Sequence, residues 1–165
     1  MKERVRPGEG EQDRVTVRAL NVLMFAQMLL AGLDVGRLHW SATLPFTLQI
    51  LGLIGFAMGM GLTTWAMLVN RFFSSAVRLQ PDRGQQVVSS GPYRLVRHPG
   101  YSGGLLLLLS AGVALGSWIA IVPILLIVPF MVRRTLIEER MLASALPGYV
   151  GYMQRVRSRI VPGVW

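Results

Sequence analysis

Residues 44 to 69, LPFTLQILGLIGFAMGMGLTTWAMLV, carry no charged side chain. As a helix these 26 residues reach roughly 39 Å, more than the ~30 Å hydrocarbon core of a bilayer. The run therefore reads as a tilted membrane-spanning helix, and the rest of the chain must fold around it. A second run, Ala19 to Leu33, is short for a span. It reaches full length by borrowing the aliphatic parts of Val15, Val17 and Arg18. A third, Leu105 to Val132, is interrupted only by Ser110, Gly112, Gly116 and Ser117 and is too long for one ordinary crossing. The Gly116-Ser117-Trp118 break divides it into a helical hairpin with Trp118 at the far interface. Each arm would be about 15 residues, roughly 23 Å, short enough to thin the bilayer or to stop below the far headgroups. Pro123 and Pro129 are expected to kink the returning arm.

Gly52, Gly55, Gly59 and Gly61 lie inside the long run and include the small-xxx-small spacing GFAMG. That spacing lets another helix backbone approach closely, although membrane helices also tolerate glycine without such a partner. Both readings stand at this level.

The formal charge of +9 raises nucleic acid as a partner. The basic residues flank apolar runs and form no exposed stripe interleaved with stacking aromatics, so nucleic acid is set aside and membrane lipids take its place. Charged residues are only 15% of the chain, below the roughly 25% of soluble domains, in keeping with a membrane protein. With no cysteine, disulfides, thiolate metal sites and a cysteine nucleophile are excluded. His39 and His98 lie far apart without ligand spacing to acids, so no metal site is expected. The first eighteen residues are polar and mixed in charge and lack signal-peptide organisation, so the first run is expected to stay as an anchor.

Topology follows from the arginines. Arg71, Arg78, Arg83, Arg94 and Arg97 follow the second run against one acid, Asp82, and Arg133, Arg134, Arg140, Arg155, Arg157 and Arg159 follow the hairpin. The first connection carries Arg37 beside Asp34. The positive-inside rule places both termini and residues 70–100 in the cytoplasm, which four crossings satisfy. Residues 70–79 read as a short continuation or interfacial helix, 80–92 as a loop, 133–145 as a separate helix, and 149–159 as a last amphipathic helix with Tyr149, Tyr152 and Val156 on one face.

Three segments could carry chemistry. In RHPGY (97–101), Pro99 biases His98 away from helix, and a helix starting near Tyr101 or Ser102 would present unpaired amides, an anion cradle supplemented by Arg97 and His98. The plainer reading is that Arg94 and Arg97 mark topology and His98 caps a helix. In RTLIEER (134–140), Arg134 and Glu138 share a helix face, either as a surface ion pair or as charges in a partly dry cavity. The end of the chain, YVGYMQRVRSRIVPGVW, could pack at the interface or roof a pocket over RHPGY.

GPYRLVRHPGYSGG, a hydrophobic hairpin, RRTLIEERML and then LPGYVGYMQRVRSRIVPGVW follow one another in an order that resembles the isoprenylcysteine carboxyl methyltransferases and the related phospholipid N-methyltransferases. The resemblance covers residues 85–165. It implies S-adenosylmethionine as cofactor, held outside any Rossmann domain, and no GxGxxG after a strand occurs here. It further implies a cofactor pocket lined by Tyr93, Arg97, His98, Pro99, Tyr101 and Gly103 with Glu139 in contact, Arg134 and Glu138 orienting substrate and methyl donor, and Tyr149 and Tyr152 closing the site. The implied acceptor is a lipophilic or lipidated molecule from the bilayer, foremost a carboxylate, with phospholipid amine or thiol as alternatives. Sterol reductases share the terminal YxxY…RxxPGxW pattern and would bring NADPH instead. A non-enzymatic membrane scaffold or lipid-binding protein is the third possibility.

The expected fold is therefore an all-α integral membrane protein of about four transmembrane helices, the last two a hairpin, with cytoplasmic C-terminal helices. Residues 1–165 form one domain, divided into a cytoplasmic segment (1–18), two membrane helices (19–69) and a cofactor-binding and catalytic region (70–165). The near-exclusive use of arginine over lysine suggests a GC-rich, bacterial source and hence the inner membrane.

Overall fold

In the computed structural model, residues 9–42, 44–74 and 78–165 are described, with side chains from residue 15 onward. Among them the chain is all-helical: α1 (Glu9–Leu33), α2 (Phe46–Val69), α3 (Pro99–Ala114), α4 (Val122–Ala145) and α5 (Tyr149–Arg155), with short 3-10 and π turns between. Three segments are long and apolar enough to cross a membrane, Val15–Leu38, Phe46–Val69 and Ile119–Ala145, while α3 is a shorter apolar helix. The fold agrees with the expectation of an all-α membrane protein ending in a helical hairpin.

Several boundaries differ from those expected. Residues 133–145 are not a separate helix. They continue α4, because nothing between Val132 and Arg133 breaks the hydrogen-bond ladder. Pro123 lies in the first turn of α4, where its missing N–H is no loss, so it starts the helix rather than kinking it; Pro129 does lie inside α4. Residues 70–74 are not helical. Asn70 ends α2 by accepting the Phe72 amide on its side-chain oxygen at 3.0 Å, while its carbonyl takes the Phe73 amide at 2.9 Å. The remainder of that expected helix includes residues 75–77, outside the described residues. Helix α5 stops at Arg155, so one C-terminal helix rather than two follows the membrane region. The polar 1–18 segment is helical from Glu9, and residues 1–8 lie outside the described residues.

Packing is pairwise. Helix α2 lies chiefly on α3 and α1 on α4. The glycines of α2 decide the first contact. A Cβ added to Gly52 would lie 2.5 Å from the Ala114 nitrogen, and one on Gly59 would lie 2.5 Å from the Leu107 nitrogen and 2.7 Å from the Gly103 carbonyl. Gly55 meets the Ser110 side chain, whereas a Cβ on Gly61 meets nothing within 4 Å. Gly52 and Gly59 therefore serve close backbone approach, Gly55 makes room for a side chain, and Gly61 is ordinary tolerance. Gln27 of α1, 2% exposed, donates from Nε2 to the Leu108 carbonyl of α3 at 2.7 Å. Such a buried polar group in an apolar bundle needs that partner.

At the end of the bundle away from the hairpin's arginines, Asp34 joins the two interhelical connections. Its carboxylate accepts the Ser41 amide (2.8 Å), the Ser41 hydroxyl (2.5 Å) and, from the α3–α4 connection, the Ser117 hydroxyl (2.5 Å). Asp34→Ala removes one acceptor from three donors and is expected to lower the melting temperature in detergent, with Asp34→Asn falling less. An unchanged transition in thermal denaturation would remove this latch from the account.

The hairpin has equal arms. Helix α3 has 16 residues, and the first 16 residues of α4 end at Ile137. Glu138 and Glu139 therefore arrive level with His98 and Tyr101, at the same end of the bundle.

Candidate active site

A cleft of about 810 Å³, counting its open side, lies at that end of the hairpin. One wall comes from the RHPGY segment and α4, another from α5, and a third from residues 70–74 and 78–88. Hydrogen bonds tie these two stretches together. Gln80 donates to the Phe72 carbonyl at 2.7 Å and receives Arg83 Nη1 at 2.7 Å, and Arg83 Nη2 reaches the Arg71 carbonyl at 2.8 Å.

Tyr93, Arg97, His98, Tyr101, Glu138, Tyr149 and Tyr152, all singled out from the sequence, line the cleft. Pro99 and Gly103 are buried in α3 and do not. Gly103 instead faces Thr63 and the Gly59 carbonyl of α2, so it serves helix packing. Glu139 and Arg134 also stand behind the cleft wall rather than on it.

Glu139 is a buried junction, its side chain 4% exposed. One oxygen accepts Arg97 Nε at 2.5 Å and lies 3.3 Å from His98 Nε2; the other accepts Arg159 Nε at 2.8 Å. Arg97 also donates from Nη1 to the carbonyls of Val156 (2.7 Å) and Arg157 (2.8 Å). The amides of Arg97 and His98 bond the Ser158 and Arg159 carbonyls at 3.0 and 2.8 Å, and the Ser102 hydroxyl reaches the Ile160 carbonyl at 2.6 Å. RHPGY thus spends most of its donors strapping residues 156–160 across the site. A buried charged network of this kind is stable while complete and costly to break at one partner. The strap also explains why α5 ends early: carbonyls of 156–159 that would have faced solvent bond to this segment instead.

The open anion cradle expected at the start of α3 is largely closed. Pro99 has no amide hydrogen, and the Tyr101 and Ser102 amides bond back to the His98 carbonyl at 3.0 and 3.1 Å. The His98 ring stacks on Tyr101, with centroids 5.4 Å apart and planes 5° apart.

The chemically active line runs between the two arms of the hairpin. Arg134 Nε donates to the Tyr101 hydroxyl at 2.9 Å, and that hydroxyl donates to Glu138 Oε2 at 2.7 Å. The Arg134 guanidinium also sits 6.0 Å from the centre of the Tyr101 ring. Arg134 and Glu138 are therefore neither a direct surface ion pair nor isolated charges: a phenol joins them. Arg134 is 6% exposed, while the Glu138 side chain keeps 27% of its surface open toward the cleft.

Burial pushes the hydroxyls of Tyr93, Tyr149 and Tyr152 upward, and for Tyr149 the carboxylates of Glu139 and Glu138 add to it. All three stay neutral hydroxyls at physiological pH. Tyr152 donates to the Tyr93 carbonyl at 2.8 Å, and Asn70 Nδ2 donates to the Tyr93 hydroxyl at 3.1 Å, which ties α5, the turn before RHPGY and the end of α2 together.

Sequence reasoning missed the loop wall, including Phe72, Phe73, Arg78 and Gln85. These residues form no motif. The basic and aromatic content of NRFFSSAVRL was their only signal, and it was read as an interfacial helix.

The sequence model of a family described as phospholipid methyltransferase matches residues 47–147. The cobalt-zinc-cadmium resistance protein CzcN of Cupriavidus metallidurans is 31% identical over 133 residues, 77% of this chain. The chain spans 56% of that relative's length.

Proposed function

Because the chain belongs to the phospholipid methyltransferase family, a family of integral membrane methyltransferases, we propose that it methylates a lipophilic acceptor drawn from the bilayer, with S-adenosylmethionine as the donor and a carboxylate as the foremost acceptor. The observation that carries this reading is the Arg134–Tyr101–Glu138 chain, which ends in a partly open carboxylate on the cleft between the hairpin arms.

The residues present suit such a donor. The cleft offers flat aromatic side chains for a nucleoside, the Glu138 carboxylate for a cation, and the neutral Tyr149 hydroxyl as a donor. Tyr93, His98, Tyr101, Tyr149 and Tyr152 would line its binding place, and Arg97 and Glu139 would hold those walls in register. When bound, S-adenosylmethionine supplies an electrophilic methyl group with its own leaving group, so the protein's task is alignment and exclusion of water. Glu138 holds positive charge near the reacting centre. Arg134 fixes the Tyr101 hydroxyl from behind the cleft wall, and that hydroxyl in turn fixes Glu138. The α5 tyrosines on the cleft wall limit entry of water.

An amine acceptor is a second reading with its own support. It must lose a proton, and Glu138 is a cleft carboxylate able to take it. The site is taken to face the cytoplasm of a bacterial inner membrane, since the basic residues gather at that end of the bundle.

The test is purification in detergent, calorimetry with S-adenosylhomocysteine, and transfer of a labelled methyl group to prenylcysteine-like acids, phospholipid amines and a total lipid extract. Binding of the homocysteine analogue with methylation in at least one class is expected. Binding of NADPH in its place would turn the reading toward a reductase, and binding of neither toward a scaffold.

A further inference from the structure

Two arginines and a histidine line the cleft, Arg78, Arg97 and His98. Two of them are committed. Arg97 gives Nε to Glu139 and Nη1 to two main-chain carbonyls. His98 is 7% exposed, set against Glu139 on one side and stacked on Tyr101 on another. Arg78 differs from both. It is exposed on the loop wall, and among the described residues no carboxylate or carbonyl holds it.

Two residues beyond Arg78, Gln80 is held in place: its side chain donates to the Phe72 carbonyl at 2.7 Å and its amide donates to the Gln85 side chain at 2.8 Å. Phe72 itself lies 4.7 Å beneath the Arg71 guanidinium, which fixes the start of the wall. A guanidinium on a cleft wall, held by no carboxylate or carbonyl among the described residues, is suited to a carboxylate in a two-pronged contact. The same cleft presents the partly exposed Glu138 carboxylate from α4, so the two side chains are of opposite sign and come from different elements. A ligand with a zwitterionic amino-acid end matches that pair.

Resting on the methyltransferase reading above, we propose that Arg78 is the cleft's carboxylate receptor: it binds the amino-acid carboxylate of the methyl donor, in place of the RHPGY helix start that the sequence suggested. It therefore sets specificity for a donor with its amino-acid tail over a nucleoside thioether without one.

The test compares binding of S-adenosylhomocysteine and 5′-methylthioadenosine, which lacks the amino-acid tail, to the full chain in detergent by calorimetry. Wild type should prefer S-adenosylhomocysteine. Arg78→Gln should weaken that ligand by about 10- to 100-fold, the range of a charge-assisted hydrogen bond, and leave methylthioadenosine unchanged. Arg78→Lys should recover part of the loss, since it keeps the charge and gives up the fork. If Arg78→Gln binds S-adenosylhomocysteine as wild type does, the proposal is overturned while the methyltransferase reading stands; a residue that only contacts anionic lipid headgroups would give this result. A parallel loss of both ligands would make Arg78 a structural residue and also overturn the proposal. Failure of wild type to bind S-adenosylhomocysteine at all would overturn both readings.

Discussion

Arg134→Ala is expected to lower methyl transfer by about 100-fold or more while S-adenosylhomocysteine affinity changes by less than about threefold. Arg134 does not line the cleft, so its loss should leave ligand contacts in place. What it removes is the 2.9 Å donor that orients the Tyr101 hydroxyl, and through it the 2.7 Å contact to Glu138. Misplacing an aligned group by about 1 Å can cost 10²-fold in rate, and methyl transfer depends heavily on alignment. Arg134 is buried, so its truncation could also weaken the fold. Two variants separate these effects. Tyr101→Phe keeps the ring that stacks on His98 and deletes only the shared hydroxyl; it should reproduce most of the loss in turnover with a near-normal melting transition. Glu138→Ala should abolish turnover and, because this carboxylate also faces the donor's cationic end, weaken the homocysteine analogue, unlike Arg134→Ala. Wild-type turnover in Arg134→Ala or Glu138→Ala would refute the assigned roles.

Gly59→Leu is the variant expected to damage the fold most. The nearest atoms to a new Cβ are the Leu107 nitrogen at 2.5 Å and the Gly103 carbonyl at 2.7 Å, and these are backbone, so no rotamer change can relieve the overlap. The α2–α3 pair would have to separate along its length, taking the hairpin arm that begins with RHPGY with it. Size-exclusion chromatography in detergent should show loss of the monodisperse species. Gly61→Leu, two residues along the same helix, is the control: a Cβ there meets nothing within 4 Å, and the protein should elute and melt as wild type. Equal behaviour of the two variants would mean that close approach of α2 to α3 does not hold the bundle together.

The glycines also mark the limit of sequence reasoning. GFAMG announced a place where helices could meet, but Gly59 and Gly61 cannot be told apart without the direction of each Cα–Cβ vector relative to α3. Glu138 and Glu139 pose the same problem. Adjacent acids in one helix point about 100° apart, so one faces the cleft and the other the arginines of the strap. The resemblance made Glu139 a cofactor contact and gave Glu138 the orientation of substrate and methyl donor, and the structure sets Glu139 between Arg97, His98 and Arg159. Arg97 itself looked like a free donor because its partners, the main-chain carbonyls of 156 and 157, lie about sixty residues away and no side-chain type marks them.

What the sequence determined alone is what depends on composition over one element: charge-free runs long enough to cross a bilayer, an apolar hairpin broken at Gly116, basic residues gathered at one end, and a family order of motifs that the match over residues 47–147 supports. These follow from transfer free energy and local turn geometry, which act within a segment. Tertiary structure decided which side chains face one another: the equal hairpin arms that set Tyr101 beside Glu138, the strap that uses up Arg97, and the loop that brings Arg78 to the cleft. Those contacts join residues up to sixty positions apart, and their energies are set by burial and pairing that exist only once the helices have packed.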